Sequence, residues 1–296
     1  MTDSKRAVIL DLDGTLYSWV DYYGPSFRAM VHALNKILDI SEEKLIQSFK
    51  KVYEKHNSVE YAFSVQELDI WNELNWSEEQ IRDIAIKAAR GAFRIARKKN
   101  LKLFKGVRET LEWLKYEDIF IFAFTDAPSF QAEMRLKALR IDKYFSGMIC
   151  LQLDHIPDLI PTDVEEKITE VYYRSKIPYK SEINHSDLKP NSEPLIRLIN
   201  KEGLEKKRTY LIGDSLEKDI ILAKEIGIID IWAEYGKKAY SKKNLETIIK
   251  ITPWKKEDVK KSVGISNDIE PSYTINEFSE IKNIIGSVKF VQLELT

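Results

Sequence analysis

One cysteine, Cys150, stands among 296 residues, so no intramolecular disulfide can form and a reducing compartment, the cytoplasm, is expected. Cys150 lies in the apolar run GMICLQL, where packing is the better reading than nucleophilic chemistry. Histidine is scarce and scattered (His32, His56, His155, His185), which leaves no cluster with zinc-ligand spacing. No stretch approaches the ~20 apolar residues that cross a bilayer. The apolar run in MTDSKRAVILDLDGT is too short for the core of a signal peptide. Neither sign of charge prevails: Lys+Arg 46 against Asp+Glu 47 leaves a formal -1, so nucleic acid and membrane are not expected as partners. Internal repeats and low-complexity tracts are missing too. What is present, 44% hydrophobic and 31% charged residues, suits one large or two moderate globular domains.

Short apolar runs read as buried strands at Ala7–Leu12, Ile119–Thr125, Gly147–Leu153, Thr209–Gly213 and Ile228–Trp232. Helical segments are predicted at Val107–Lys115, Pro128–Leu139, Glu193–Lys201 and Glu217–Ile226, with Gly203 and Gly227 where C-caps belong. Strands alternating with helices imply an α/β fold, a parallel sheet covered on both faces. Between about residues 25 and 100 only helical periodicity is found. Phe27, Met30, Val31, Leu34 and Leu38 mark one face, and a capping box at Ser77 and Gln80 opens a helix through Ile81, Ile84, Ala88 and Phe93. An all-helical domain inserted after the first strand is therefore expected, over 17–100, with 1–16 and 101–296 forming the core. Residues 154–187, with a short helix at a Thr162/Glu165 capping box, and the lysine-rich 237–268 read as irregular insertions.

The first strand runs into Asp11-Leu12-Asp13-Gly14-Thr15. Carboxylates two residues apart project to the same side while the strand stays extended. One can attack phosphorus and form an acyl phosphate, and the other can protonate the leaving oxygen and later deprotonate water. Gly213-Asp214 ends a second strand, and Asp219 opens the helix after it. With Asp11 these carboxylates would make a hard oxygen site suited to Mg²⁺, although Asp219 taken alone could equally cap its helix. A third strand ends in Thr125-Asp126, where a hydroxyl and backbone N–H groups suit phosphate oxygens. Lys189, before Pro190, would neutralise both Asp11 and a phosphate, yet among 46 basic residues it is singled out mainly by its order along the chain.

Asp11-Leu12-Asp13-Gly14-Thr15, Thr125, Lys189-Pro190 and Gly213-Asp214 with Asp219 together resemble, in order and strand placement, the motifs of the haloacid dehalogenase superfamily of hydrolases. The resemblance covers the sheet-forming half of the chain. It implies a Rossmann-like parallel sheet core with an inserted all-helical cap domain of the first type. It further implies Asp11 as nucleophile, Asp13 as general acid/base, Thr125 and the Asp126 backbone on phosphate, and Lys189 as charge stabiliser. Mg²⁺ would be held by the Asp11 and Asp214 carboxylates, the Asp13 carbonyl, and Asp219 directly or through water. Residues 270–276, then Phe278, Ile281 and Ile285, look like the family's C-terminal strand and helix. Asp13 belongs to the phosphate-processing branch, because a halide leaving group needs no proton. A Mg²⁺-dependent phosphatase acting on a small phosphorylated metabolite is thus expected. A phosphomutase and a catalytically silent binding protein of the same fold are the alternatives. Two features depart from the pattern: Asp126 stands where Asn is common, and Lys180 competes with Lys189. Tyr17, Trp19, Tyr22 and Tyr23 are read either as a flat apolar wall for a sugar or base or as packing at the hinge.

Overall fold

The computed structural model describes residues 5–152, 176–238, 240–253 and 269–286. The predicted Thr162/Glu165 helix and residues 239 and 254–268 of the second insertion lie outside them. Among the described residues, seven strands form one sheet in the order β4-β3-β2-β1-β5-β6-β7. They are β1 (Lys5–Leu10), β2 (Phe120–Pro128), β3 (Gly147–Leu151), β4 (Lys180–Ile183), β5 (Leu204–Gly213), β6 (Ile229–Ala233) and β7 (Tyr273–Ile275). Every pairing is parallel. Side chains alternate across the sheet, and both faces are buried: Val8 and Leu10 enter one apolar cluster, Ala7 and Ile9 the other. The fold is the α/β, Rossmann-like architecture expected.

Between β1 and β2 come α1 (Trp19–Leu38), α2 (Glu42–His56), α3 (Trp71–Leu74), α4 (Glu78–Gln80), a π-helical turn at Ile81–Ile86, α5 (Lys87–Asn100) and α6 (Val107–Tyr116). Then follow α7 (Ser129–Ala138), α8 (Glu193–Glu202), α9 (Ile221–Ile226), α10 (Tyr235–Lys238) and α11 (Lys242–Ile251). Ser18 caps α1, its hydroxyl accepting from the Asp21 N–H at 3.2 Å. The Ser77/Gln80 box forms as read, at 3.2 and 2.9 Å. The face beyond it differs from the expectation. The π turn inserts an extra residue and rotates the stripe, so Ile81, Ala85, Ile86 and Ala89 are buried while Ile84 is exposed.

One strand and the first half of another were hidden in the sequence by their polarity. β4 (KSEI) is an edge strand with only Ile183 buried, so no apolar run marks it within the stretch read as irregular. β5 starts at Leu204, because its first half carries the exposed charges of EKKR. β1 ends at Leu10, earlier than predicted. The Asp11 N–H still bonds the Ile212 carbonyl at 2.9 Å, after which Leu12 to Tyr17 turn back, the Leu16 N–H donating to the Leu12 carbonyl at 2.9 Å. The turn, and not continued extension, therefore sets the directions of Asp11 and Asp13. Chain order reverses at β1, between β2 and β5, and open parallel sheets bind ligands beyond the carboxyl ends of strands at such a switch point.

Candidate active site

Asp11 follows β1, Thr125 and Asp126 end β2, Asp214 follows β5, and Asp219 sits in the helical turn Leu216–Ile220. These residues and Lys189 line one cavity of about 370 Å³ at the switch point. Lys189 Nζ donates to Asp11 Oδ1 at 2.6 Å and to Asp219 Oδ1 at 2.7 Å. Lys180 instead pairs with buried Glu133 at 2.5 Å, away from Asp11. Of the two competing lysines, Lys189 is the one against the acidic cluster.

Oxygens of Asp11, Asp214 and Asp219 lie within 4.8 Å of one another. Burial, foremost, pushes the Asp11 carboxyl well above the usual range; Lys189 opposes this, while Asp219, Asp214 and Asp13 add to it. Asp214 is raised as well, by burial first, against the pull of Lys237, whose Nζ is 3.6 Å away. Burial alone would lower Lys189, but Asp11, Asp219 and Asp126 hold its ammonium charged. Three buried carboxylates crowded together fit a bound divalent cation, and an all-oxygen set fits a hard one. The donor set thus could hold a divalent metal.

Glycine is required where the loops meet. Gly14 has φ +85°, and a Cβ there would lie 2.5 Å from Asp214 Oδ2. A Cβ at Gly236 would lie 2.0 Å from the Gly14 carbonyl oxygen. The β1 turn and α10, just after β6, thus meet backbone to backbone beside Asp214.

Thr125 is buried, its Oγ1 accepting from the Ala127 N–H at 3.2 Å. The Asp126 carboxylate turns away from Asp11: Oδ1 accepts from the Lys189 N–H at 3.0 Å, and Oδ2 from Lys218 Nζ at 2.6 Å. Burial raises its pKa, but Lys189 and Lys218 outweigh burial and hold it below the ordinary value. This residue is thus a strut between loops, and the extra negative charge is offset.

Asp13 is raised to about 6, first by burial, with Arg135 opposing and Glu60 adding. Arg135 of α7 and Glu60, from the loop between α2 and α3, were not singled out from sequence. Arg135 had a signal: with Ala132, Leu136 and Leu139 it occupies the i, i+3, i+4 stripe of an apolar helix face, where a charge is out of place. Glu60 lies in a loop with no such pattern. Of the four aromatics, Tyr17, Tyr22 and Tyr23 are packed inside, and Trp19, stacked on Tyr23 at 4.9 Å, lines the cavity. Tyr240, Leu245 and Ile248, from the lysine-rich insertion, form part of the wall.

The haloacid dehalogenase-like hydrolase family model matches residues 5–227, and the chain belongs to that family. Phosphoglycolate phosphatase from Haemophilus influenzae (strain 86-028NP) is 26% identical over 171 residues, 55% of this chain and 62% of that protein. The chain therefore matches less than two thirds of that relative's length. Among solved structures, a 2-haloacid dehalogenase from Pseudomonas syringae pv. Tomato DC3000 superposes with a TM-score of 0.54 at 15% identity, covering 96% of this chain and 99% of that one. A HAD phosphatase from Thermococcus onnurineus gives 0.53 at 17% identity, covering 95% and 98%. At these identities the two structures share the fold. No helix among the described residues is long and apolar enough to cross a membrane.

Proposed function

We propose that this protein is a Mg²⁺-dependent phosphatase that hydrolyses a small-molecule phosphate monoester through an aspartyl phosphate on Asp11. The carrying observation is the pair Asp11 and Asp13 at the end of β1, with Lys189 Nζ 2.6 Å from the nucleophilic carboxylate. In the first step an Asp11 oxygen bonds to phosphorus while the ester P–O bond breaks, and Asp13 gives its proton to the departing oxygen. Water then attacks the acyl phosphate, Asp13 takes its proton, and inorganic phosphate leaves with Asp11 restored. Thr125 Oγ1 and the Asp126 backbone N–H bind phosphate oxygens, and Lys189 offsets negative charge as it builds. The Asp11 and Asp214 carboxylates and the Asp13 carbonyl, with Asp219 directly or through water, would hold Mg²⁺, which would supply the positive charge that lets two anions approach.

Residues 17–100 act as the helical cap over a core of 1–16 and 101–296, excluding bulk water and shaping the substrate end with Trp19 and Glu60. The partner is a small phosphorylated metabolite, and the buried free thiol of Cys150 supports a cytoplasmic setting. The similarity to a phosphoglycolate phosphatase supports the reaction class.

The test is inorganic phosphate release from a panel of phosphorylated metabolites, with Mg²⁺ and with EDTA, for wild type and Asp11→Asn. Mg²⁺-dependent release abolished by the substitution is the expected result. Release that survives Asp11→Asn overturns the nucleophile.

A further inference from the structure

We infer that Arg135 is a positioning residue for the proton donor, tying Asp13 to the docked helical insertion through Glu60; this rests on the phosphatase reading. The Arg135 side chain is fully buried, on the α7 helix that begins directly after β2. Its Nη1 stands 3.3 Å from Asp13 Oδ1 and 2.7 Å from Glu60 Oε1, and donates to the Tyr22 hydroxyl at 2.7 Å. One nitrogen thus touches the acid of the core, a carboxylate of the insertion and the first helix of that insertion. One turn earlier on α7, Gln131 Nε2 donates to the Glu60 backbone carbonyl at 2.5 Å, so α7 grips that loop by main chain and side chain. Trp19 Nε1 also donates to Glu60 Oε1, at 2.9 Å.

A structural reading alone leaves part of this arrangement unexplained. A buried guanidinium serving stability is expected to satisfy its donors, since each unmet one costs desolvation. Nε and Nη2 of Arg135 are buried without a hydrogen bond among the described residues, and so is Asp13 Oδ1. The Asp13 contact is a charge pair at 3.3 Å with donors and acceptor to spare. Among the described residues Asp13 has no other cation as close, so loss of Arg135 leaves the carboxyl that must face the leaving oxygen with the neutral Tyr17 hydroxyl and without its charged anchor.

The consequence is a dependence on the leaving group. An alkyl ester needs the Asp13 proton as its P–O bond breaks, because an alkoxide is a poor leaving group. A dinitrophenyl ester releases a stable phenolate and does not. The measured quantity is kcat/KM, which covers steps only up to departure of the leaving group and so leaves out hydrolysis of the acyl phosphate.

The experiment compares wild type, Arg135→Met and Glu60→Gln on an alkyl phosphate and on 2,4-dinitrophenyl phosphate, with Asp11→Asn as the control for the underlying reaction. Arg135→Met is expected to lower kcat/KM on the alkyl ester about 100-fold, the scale of one general acid, and on the aryl ester less than about threefold. Glu60→Gln is expected to fall in the same direction by less. In an Asp13→Asn background Arg135→Met should add little, since the two act as a unit. Equal losses on both esters, or no loss on either, overturn the inference while the Asp11→Asn control still reports on the phosphatase reading. Arg135→Lys, whose single ammonium keeps the charge without the planar fork, carries the same comparison should Arg135→Met not fold.

Discussion

Lys189 is bonded to two carboxylates within a buried site, and its value to catalysis is electrostatic. Lys189→Met leaves Asp11 and Asp219 facing each other without the intervening cation. The expected result is a fall in kcat of about 100-fold or more, the range for removing one charge-stabilising group. Steady-state kinetics at saturating Mg²⁺ check it, and an unchanged kcat would remove Lys189 from the mechanism. The carboxylates themselves were legible in the sequence because a polar residue at the end of an apolar strand has few structural reasons to be there. Lys189 was legible only as one of two options. Its partner Asp11 is 178 residues away, and no local pattern states that distance. Arg135 was written into the helix stripe as a misplaced charge, but its partners Asp13 and Glu60 come from other elements.

At the scale of the element, the loop between α2 and α3 is tied by Glu67. This carboxylate accepts from Lys55 Nζ at 2.6 Å, from His56 Nε2 at 2.9 Å and from the Tyr61 hydroxyl. Burial would raise its pKa, but the three hydrogen bonds outweigh burial and lower it to about 2, from an ordinary 4.5. A group depressed on folding contributes stability above its unfolded pKa and loses it as pH falls through the folded one. Glu67→Gln is therefore expected to lower the unfolding free energy near pH 7, with the difference from wild type shrinking between about pH 4.5 and pH 2. Urea titrations at several pH values read this directly. A difference that stays constant with pH would show that the hydrogen bonds, and not the charge, carry the effect. Element existence was largely legible: the short apolar runs that mark β1, β2, β3, β5 and β6 are local properties of the chain. β4 escaped because an edge strand buries little, and the rotated face of the Ser77 helix escaped because a π turn shifts phase without a residue type of its own.

Across the whole molecule, one apolar cluster runs from Val8 and Leu10 of the sheet through Phe27, Leu34 and Phe49 of the helical insertion to Ile248 and Ile251 of α11. Polar bonds cross the same seam: Arg28 of α1 donates to Thr247 Oγ1 at 2.6 Å and to Asn244 Oδ1 at 2.7 Å. Asn244 in turn donates to Asp21 at 2.8 Å. Insertion and core share their interior, so they are expected to unfold as one unit. In a variant with Trp113, Trp232 and Trp254 replaced by Phe, the remaining Trp19, Trp71 and Trp76 report on the insertion, and far-UV circular dichroism reports on the whole; the two melting curves should coincide. Separate transitions would show that the seam is weaker than its packing indicates. Breaking it with Arg28→Ala would then shift the insertion's transition in both signals and leave the core's transition in place.

What the sequence determined by itself is what short-range chemistry can specify. Apolar runs of strand length bounded by turns dictate a parallel α/β sheet, helical periodicity dictates the insertion, and carboxylates placed at strand ends declare the acidic cluster. These follow from residue type and spacing, which are complete within a dozen positions. Tertiary structure alone decided which lysine meets Asp11, how the Asp126 charge is offset, that three of the four early aromatics are core, and that Arg135 joins Asp13 to Glu60. Each of those depends on where a distant segment comes to rest, and that is settled by packing of the assembled layers and not by any local preference.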